Sequence, residues 1–267
     1  ITVRERKASN IPTTYHFEKV RIQKNIWQEF YEEQESGDEL TWASGNSGFK
    51  LAMSEAKTEE YPTVQSANGK VGKCAKLETR STGEFGNMVG MPIAAGNLFI
   101  GNFSILNAIA DPLGATRFGT PFYNKPLRLT GYYKYKSGEK FYEHGEYTSR
   151  KDIFNIYAIF YDGVKYDSAG KRTDVTLDGN LPNQNYEHPN MVALALVSNP
   201  QETEGDEWKF FDIPFDYQRY GKKIDEARLA KGEYKIGIIF ASSKDGATFE
   251  GAPGSTLLID EVELIYE

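Results

Sequence analysis

The sequence has one cysteine, Cys74, and only three histidines in 267 residues. A lone cysteine rules out an internal disulfide and so a stapled scaffold, though not export. Cys74 sits in Lys73-Cys74-Ala75-Lys76-Leu77, a strand-like stretch, and reads as a small core filler rather than a reactive thiol. His16, His144 and His188 lack the short spacing of a zinc site. No apolar run approaches the roughly 20 residues that span a bilayer. There is no basic run either, and the net charge is −7, so neither nucleic acid nor an anionic membrane surface is the expected partner. Nucleophile-elbow, phosphate-loop and dinucleotide motifs are missing. Helix-length amphipathic segments do not alternate with the strands, which disfavours a parallel α/β sheet.

What is present is aromatic and strand-forming. Hydrophobic residues make up 39% of the chain, enough for a packed core, and aromatics 13%, with 17 Tyr and 16 Phe. Residues 15–20, 49–53, 71–79 and 98–103 read as strands, as does Leu127 to Lys136. Ile153 to Tyr161, Met191 to Val197 and Tyr234 to Ala241 are apolar on both faces, as central strands are. Trp208 to Tyr217 alternates, with Phe211, Ile213, Phe215 and Tyr217 on one face. Residues 26–35 suit either a short helix or a strand, and residues 224–230 one helical turn or two. The count is about eleven strands between turn signals, the rhythm of an antiparallel sandwich or barrel.

The last strand poses the sharpest question. Val262, Leu264 and Tyr266 alternate with Glu261, Glu263 and Ile265, the period of a half-buried strand. Counting back in that register puts Asp260 on the buried side. A carboxylate there needs an ion, an arginine or several N–H donors.

Phe17-Glu18 and Leu257-Leu258-Ile259-Asp260-Glu261-Val262-Glu263-Leu264 look like the opening and closing strands of carbohydrate-binding jelly rolls. With Leu129-Thr130-Gly131-Tyr132-Tyr133-Lys134-Tyr135 and the run from Ser242 to Ser255, they resemble the "putative carbohydrate metabolism domain" family of surface lipoproteins of Bacteroides-type bacteria. The resemblance covers residues 15 to 267. It implies a galactose-binding-like jelly-roll β-sandwich, export, and polysaccharide capture or breakdown. Residues 1–14 are then expected as a linker or the remnant of a preceding module, and residues 15–267 as one domain. A start at Ile1 without a charged-then-apolar leader suggests a removed signal, with a lipid anchor on the lost part and a location at the cell surface or in the periplasm.

A glycan site mixes rings that stack on C–H faces with side chains that bond hydroxyls. The candidates are Trp42 with Asn46, Tyr132 with Lys134, Tyr157, Tyr161 and Arg117, in a groove rimmed by residues 83–125 and 165–190. Tyr133 and Tyr135 share a face with Leu127 and Leu129 and are expected in the core. Glu143 and Glu146, around His144, form the most reaction-like cluster, because glycoside hydrolysis needs paired carboxylates. A solvated loop explains them equally well. In related jelly rolls a structural calcium often lies near the first and last strands, which makes Glu18 and Asp260 its expected ligands; backbone N–H groups or an arginine are the alternative partners for Asp260. No cofactor is required. The leading expectation is non-catalytic carbohydrate binding. A glycoside hydrolase or polysaccharide lyase on the same fold comes second, and a protein-binding adhesion module third.

Overall fold

The structure is a computed structural model that describes residues 8–24 and 26–267. Residues 1–7 of the expected linker lie outside the described residues. Residues 8–14 pack on the domain: Ile11 is buried in its core, and the Asn10 amide donates to the Pro121 carbonyl at 2.9 Å.

The described residues form an all-β chain in which every strand pairing is antiparallel. Eleven strands make two larger sheets. One has six strands: Thr14–Tyr15, Thr63–Ser66, Cys74–Glu78, Pro126–Lys136, Lys209–Pro214 and Thr256–Tyr266. The other has five: Asn97–Phe99, Thr120–Pro121, Asn155–Asp162, Met191–Leu196 and Tyr234–Ala241. The first described strand pairs with the last, Tyr15 opposite Val262.

The jelly-roll β-sandwich expected from the sequence is corrected here. A jelly roll distributes eight strands over two sheets. In this chain twelve further strands form five small antiparallel sheets of two or three strands each, giving seven sheets among the described residues. The physical reason lies in short pairings, several of them in stretches that read as loops, such as Glu39–Thr41, Thr116–Phe118 and Leu177–Asp178. Val20–Gln23, Trp27–Glu33 and Glu39–Thr41 make one small sheet, and Gly101–Phe103, Thr116–Phe118 and Leu177–Asp178 another. Helices are short: Asn46–Ala52, Gly83–Met88, Pro112–Ala115 and Glu226–Ala230. The last is capped by the Asp225 carboxylate, which accepts from the N–H groups of Ala227 and Arg228.

The five-stranded sheet is buried on both faces, which explains its two-sided apolar strands. Ile156, Ala158, Phe160, Ile236, Ile238 and Phe240 join the main core with Leu129, Tyr133, Tyr135, Leu257, Ile259, Val262 and Leu264 of the six-stranded sheet. Tyr157, Ile159, Tyr161, Met191, Leu194 and Ile239 form a second core on its other face. That face also carries the loops that build the candidate site.

Candidate functional site

Several residues singled out in the sequence are structural. Trp42 is 1% exposed and packs edge-on against Tyr15 at 5.0 Å between ring centroids, so it cannot stack on a sugar. Asn46, also buried, bonds the Thr63 backbone in both directions, its amide to the carbonyl at 2.8 Å and its oxygen to the N–H at 3.1 Å. Tyr161 is enclosed, and its hydroxyl donates to the Phe118 carbonyl at 2.6 Å. Tyr157 is buried against Phe118 and Tyr186, and burial pushes its hydroxyl far above the usual tyrosine range. Both tyrosines alternate to the second core because the strand that carries them is covered on each side.

Glu143 and Glu146 lie directly opposite each other on the hairpin Phe141–Glu143 and Glu146–Thr148, turned by His144 and Gly145, both at positive φ. Arg150 donates to Glu143 at 2.9 Å and to Asp245 at 2.8 Å. The guanidinium, together with the Thr148 hydroxyl, holds the Glu143 carboxyl below its ordinary range. A general acid needs the opposite shift.

Glu18 and Asp260 both serve one loop, residues 67–73. Asp260 Oδ2 accepts from the Val71 N–H at 2.9 Å, Oδ1 accepts from the Glu261 N–H at 2.9 Å, and Glu18 Oε1 accepts from the Lys73 N–H at 2.8 Å. Gly72 makes room for this at φ +61, since a Cβ there would fall 2.2 Å from Glu18 Oε1. Calcium asks for six to eight converging oxygens. These carboxylates face N–H donors instead, and among the described residues no three His, Cys, Asp or Glu side chains gather for a metal. The donor set does not fit the ion. Asp260 also lies on the other side of its strand from the one the register predicts. Glu261 adopts φ +48, the pairing shifts between Thr130 and Tyr132, and the core residues run Leu257, Ile259, then Val262, Leu264. This bulge moves Asp260 to the outer face, opposite Tyr132, where the 67–73 loop buries it. Burial pushes its carboxyl up to about 6, against the pull of the N–H donors.

Among the described residues two concave regions stand out. One is apolar and lies over the second core, walled by Phe49, Phe85, Val89, Phe103, Ile109 and Phe249, with Tyr157 and Asn155 at its floor. The other is polar and lies at the end of the five-stranded sheet. Asn102, Thr120, Arg172, Asp174, Glu233 and Lys235 converge on it, with Gly119, Gly163 and Gly232 keeping its backbone walls open. The Lys235 ammonium donates to the Val175 carbonyl at 2.7 Å, and burial lowers its pKa. Glu233 accepts from Arg228 Nε at 2.6 Å and from the Tyr166 hydroxyl at 2.7 Å, and these donors keep its carboxyl low. Arg228 is itself held by two bonds, of 2.7 and 2.6 Å, to Asp162. Tyr123, 42% exposed, borders the pocket against Gly232, and Tyr166, 50% exposed, borders it through Glu233.

Arg117 stands beside this pocket without lining it. It is exposed on Thr116–Phe118, directly opposite Asn102 of the pocket wall and Asp178. The groove expected between residues 83–125 and 165–190 contributes walls to both concave regions. Sequence reading missed Arg172, Glu233 and Lys235. The first lies in a polar excursion without periodicity and the other two at the start of a buried strand, so only the fold brings them together.

The chain matches the family model described as "Putative carbohydrate metabolism domain" over residues 16–265. It is similar to a solved structure described as a putative glycoside hydrolase from Bacteroides vulgatus, with 49% identity over 97% of this chain and 100% of that one, at a TM-score of 0.89. A second structure, described as a putative glycoside hydrolase from Bacteroides thetaiotaomicron, is 46% identical over 96% of this chain and 71% of that one, at a TM-score of 0.85. No curated protein sequence matches. A model match over nearly the whole length, with two relatives above 45% identity, makes this chain a member of the family described as "Putative carbohydrate metabolism domain".

Proposed function

We propose that the protein binds carbohydrate without cleaving it, and that the polar pocket holds the sugar. The observation that carries this reading is the convergence of donors and acceptors of both kinds, Asn102, Thr120, Arg172, Asp174 and Lys235, on one concavity between half-exposed tyrosines. Sugar hydroxyls donate and accept at once, so they match a mixed lining better than a uniformly charged one. Arg117 adds a planar fork at the edge for a hydroxyl or a carboxylate. Membership in a carbohydrate family agrees with this use of the pocket. Export to the cell surface or periplasm belongs to the same proposal.

Hydrolysis is the second reading, favoured by the description of both relatives and by Glu233, an ionised carboxylate in the pocket wall. Its weakness is the missing acid. The other carboxylate of the wall, Asp174, is paired with Arg172 at 3.0 Å. A glycan array followed by calorimetry tests the first reading. The expected result is a bound glycan whose affinity falls at least about tenfold in Arg172→Ala, the scale of one lost charged hydrogen bond. Binding to no glycan sinks the proposal. Reducing-end release from a polysaccharide panel, lost in Glu233→Gln, replaces it with the hydrolase.

A further inference from the structure

The outer face of the six-stranded sheet carries a second feature that the pocket does not use. Tyr132 and Lys134 point outward there, alternating with Tyr133 and Tyr135 in the core. Across the strand pair, Tyr132 lies opposite Phe210, ring centroids 5.2 Å apart, and the Lys134 ammonium sits 5.1 Å over the Trp208 ring. Phe210 is nevertheless 58% exposed, with only part of its ring covered by Tyr132. The Lys70 ammonium lies 5.2 Å over the Tyr132 ring. Cations therefore cover the Tyr132 and Trp208 faces and leave the Phe210 ring between them open.

The charges on this face are uneven. Asp212 is taken by Arg128 at 2.6 Å, Glu78 by Lys76 at 2.8 Å, and Lys134 lies 3.5 Å from the fully exposed Asp206. No carboxylate among the described residues pairs with Lys70. The loop that carries it is held against the sheet by Asp260, whose Oδ2 accepts from the Val71 N–H at 2.9 Å. In a chain of net charge −7, an ammonium that no carboxylate among the described residues pairs, beside an open ring, is a local reversal of sign.

We propose that Lys70, Phe210 and Lys134 form a second binding surface, one that takes an acidic glycan, a chain of carboxylate-bearing sugars. Phe210 stacks on the apolar face of one sugar, and the two ammonium groups meet carboxylates to either side of it. Neutral sugars gain only the stacking contact.

Calorimetric titration of the intact chain with polygalacturonate and with a neutral galactan tests this. Phe210→Ala is expected to weaken polygalacturonate about tenfold, the scale of one lost aromatic stacking contact. Lys70→Ala and Lys134→Met are expected to weaken it severalfold each, with Lys70→Arg restoring it, and added salt is expected to weaken the wild type. The substituted side chains are exposed or near the surface, and an unchanged near-ultraviolet spectrum confirms folding. Polygalacturonate that binds no more tightly than galactan, or that ignores Lys70→Ala and Phe210→Ala, overturns the acidic surface. Polygalacturonate weakened by Arg172→Ala alone assigns it to the pocket and overturns only this inference. Loss of every glycan overturns both proposals.

Discussion

Asp260 entered as a charge in a core register and leaves as the anchor of a loop. Its carboxyl is held at about 6 in the folded chain, mainly by burial, against an ordinary value of 3.8. Between those two values the native state keeps a proton that the unfolded chain has released. Stability from this group is therefore complete below pH 3.8 and falls as pH rises through about 6, by an amount on the order of 3 kcal/mol. Urea unfolding of wild type and Asp260→Asn at pH 4, 5, 6 and 7 reads the effect. The wild type is expected to lose stability relative to the variant over that span, and parallel curves would remove the assignment. Cys74 has the opposite simplicity. It is fully buried beside Asp260, burial pushes its thiol up to about 12, and the core role read from its neighbours stands.

Among the elements, alternation was legible wherever a strand ran unbroken. Phe211, Ile213 and Phe215 share the core, as do Leu129, Tyr133 and Tyr135, because a period of two survives any tertiary context that buries one face. It failed at Glu261, where a bulge inserts one residue and every assignment upstream changes sides. A local sequence does not announce a bulge, because the cause lies across the ladder. Opposite it stands Gly131, where an added Cβ would fall 2.7 Å from the Phe211 ring and 2.8 Å from a Val262 methyl. The glycine of the Gly-Tyr-Tyr-Lys-Tyr run lets the bulged strand and Phe211 close over it. Gly131→Ala is expected to destabilise by about 1–3 kcal/mol, the usual cost of overpacking. A lower urea midpoint with an unchanged slope supports this; a midpoint equal to wild type shows that the ring and the methyl yield freely. Short local pairings were invisible for a related reason. Pairs such as Arg80–Ser81 with Ile93–Ala94 are too brief to show a period.

At the scale of the whole molecule, the candidate site was legible only at its edge. Arg117, expected in a loop, stands on the strand Thr116–Phe118 beside the pocket, whereas Trp42, Asn46, Tyr157 and Tyr161 are drawn inward, because aromatic and amide side chains satisfy cores as readily as ligands. Arg172, Glu233 and Lys235 are brought together by topology, which joins a hairpin excursion to the start of a central strand. The same topology bears on cooperativity. The main core takes side chains from both larger sheets and from Tyr15 and Phe17 near the start of the described chain, and the second core shares the five-stranded sheet with it. Both larger cores draw on the two halves of the sequence, and only a small cluster of Trp27, Phe49, Tyr61 and Val64 is confined to one half, so residues 8–267 are expected to unfold together, without a stable fragment. Far-ultraviolet dichroism follows the strands, and near-ultraviolet dichroism follows rings such as Trp42 and Tyr157 in the two cores. The two transitions in urea are expected to coincide. A near-ultraviolet loss that precedes the far-ultraviolet one, or a plateau between them, would mean that the second core melts separately, taking with it the loops that build the pocket while the six-stranded sheet and its outer face remain.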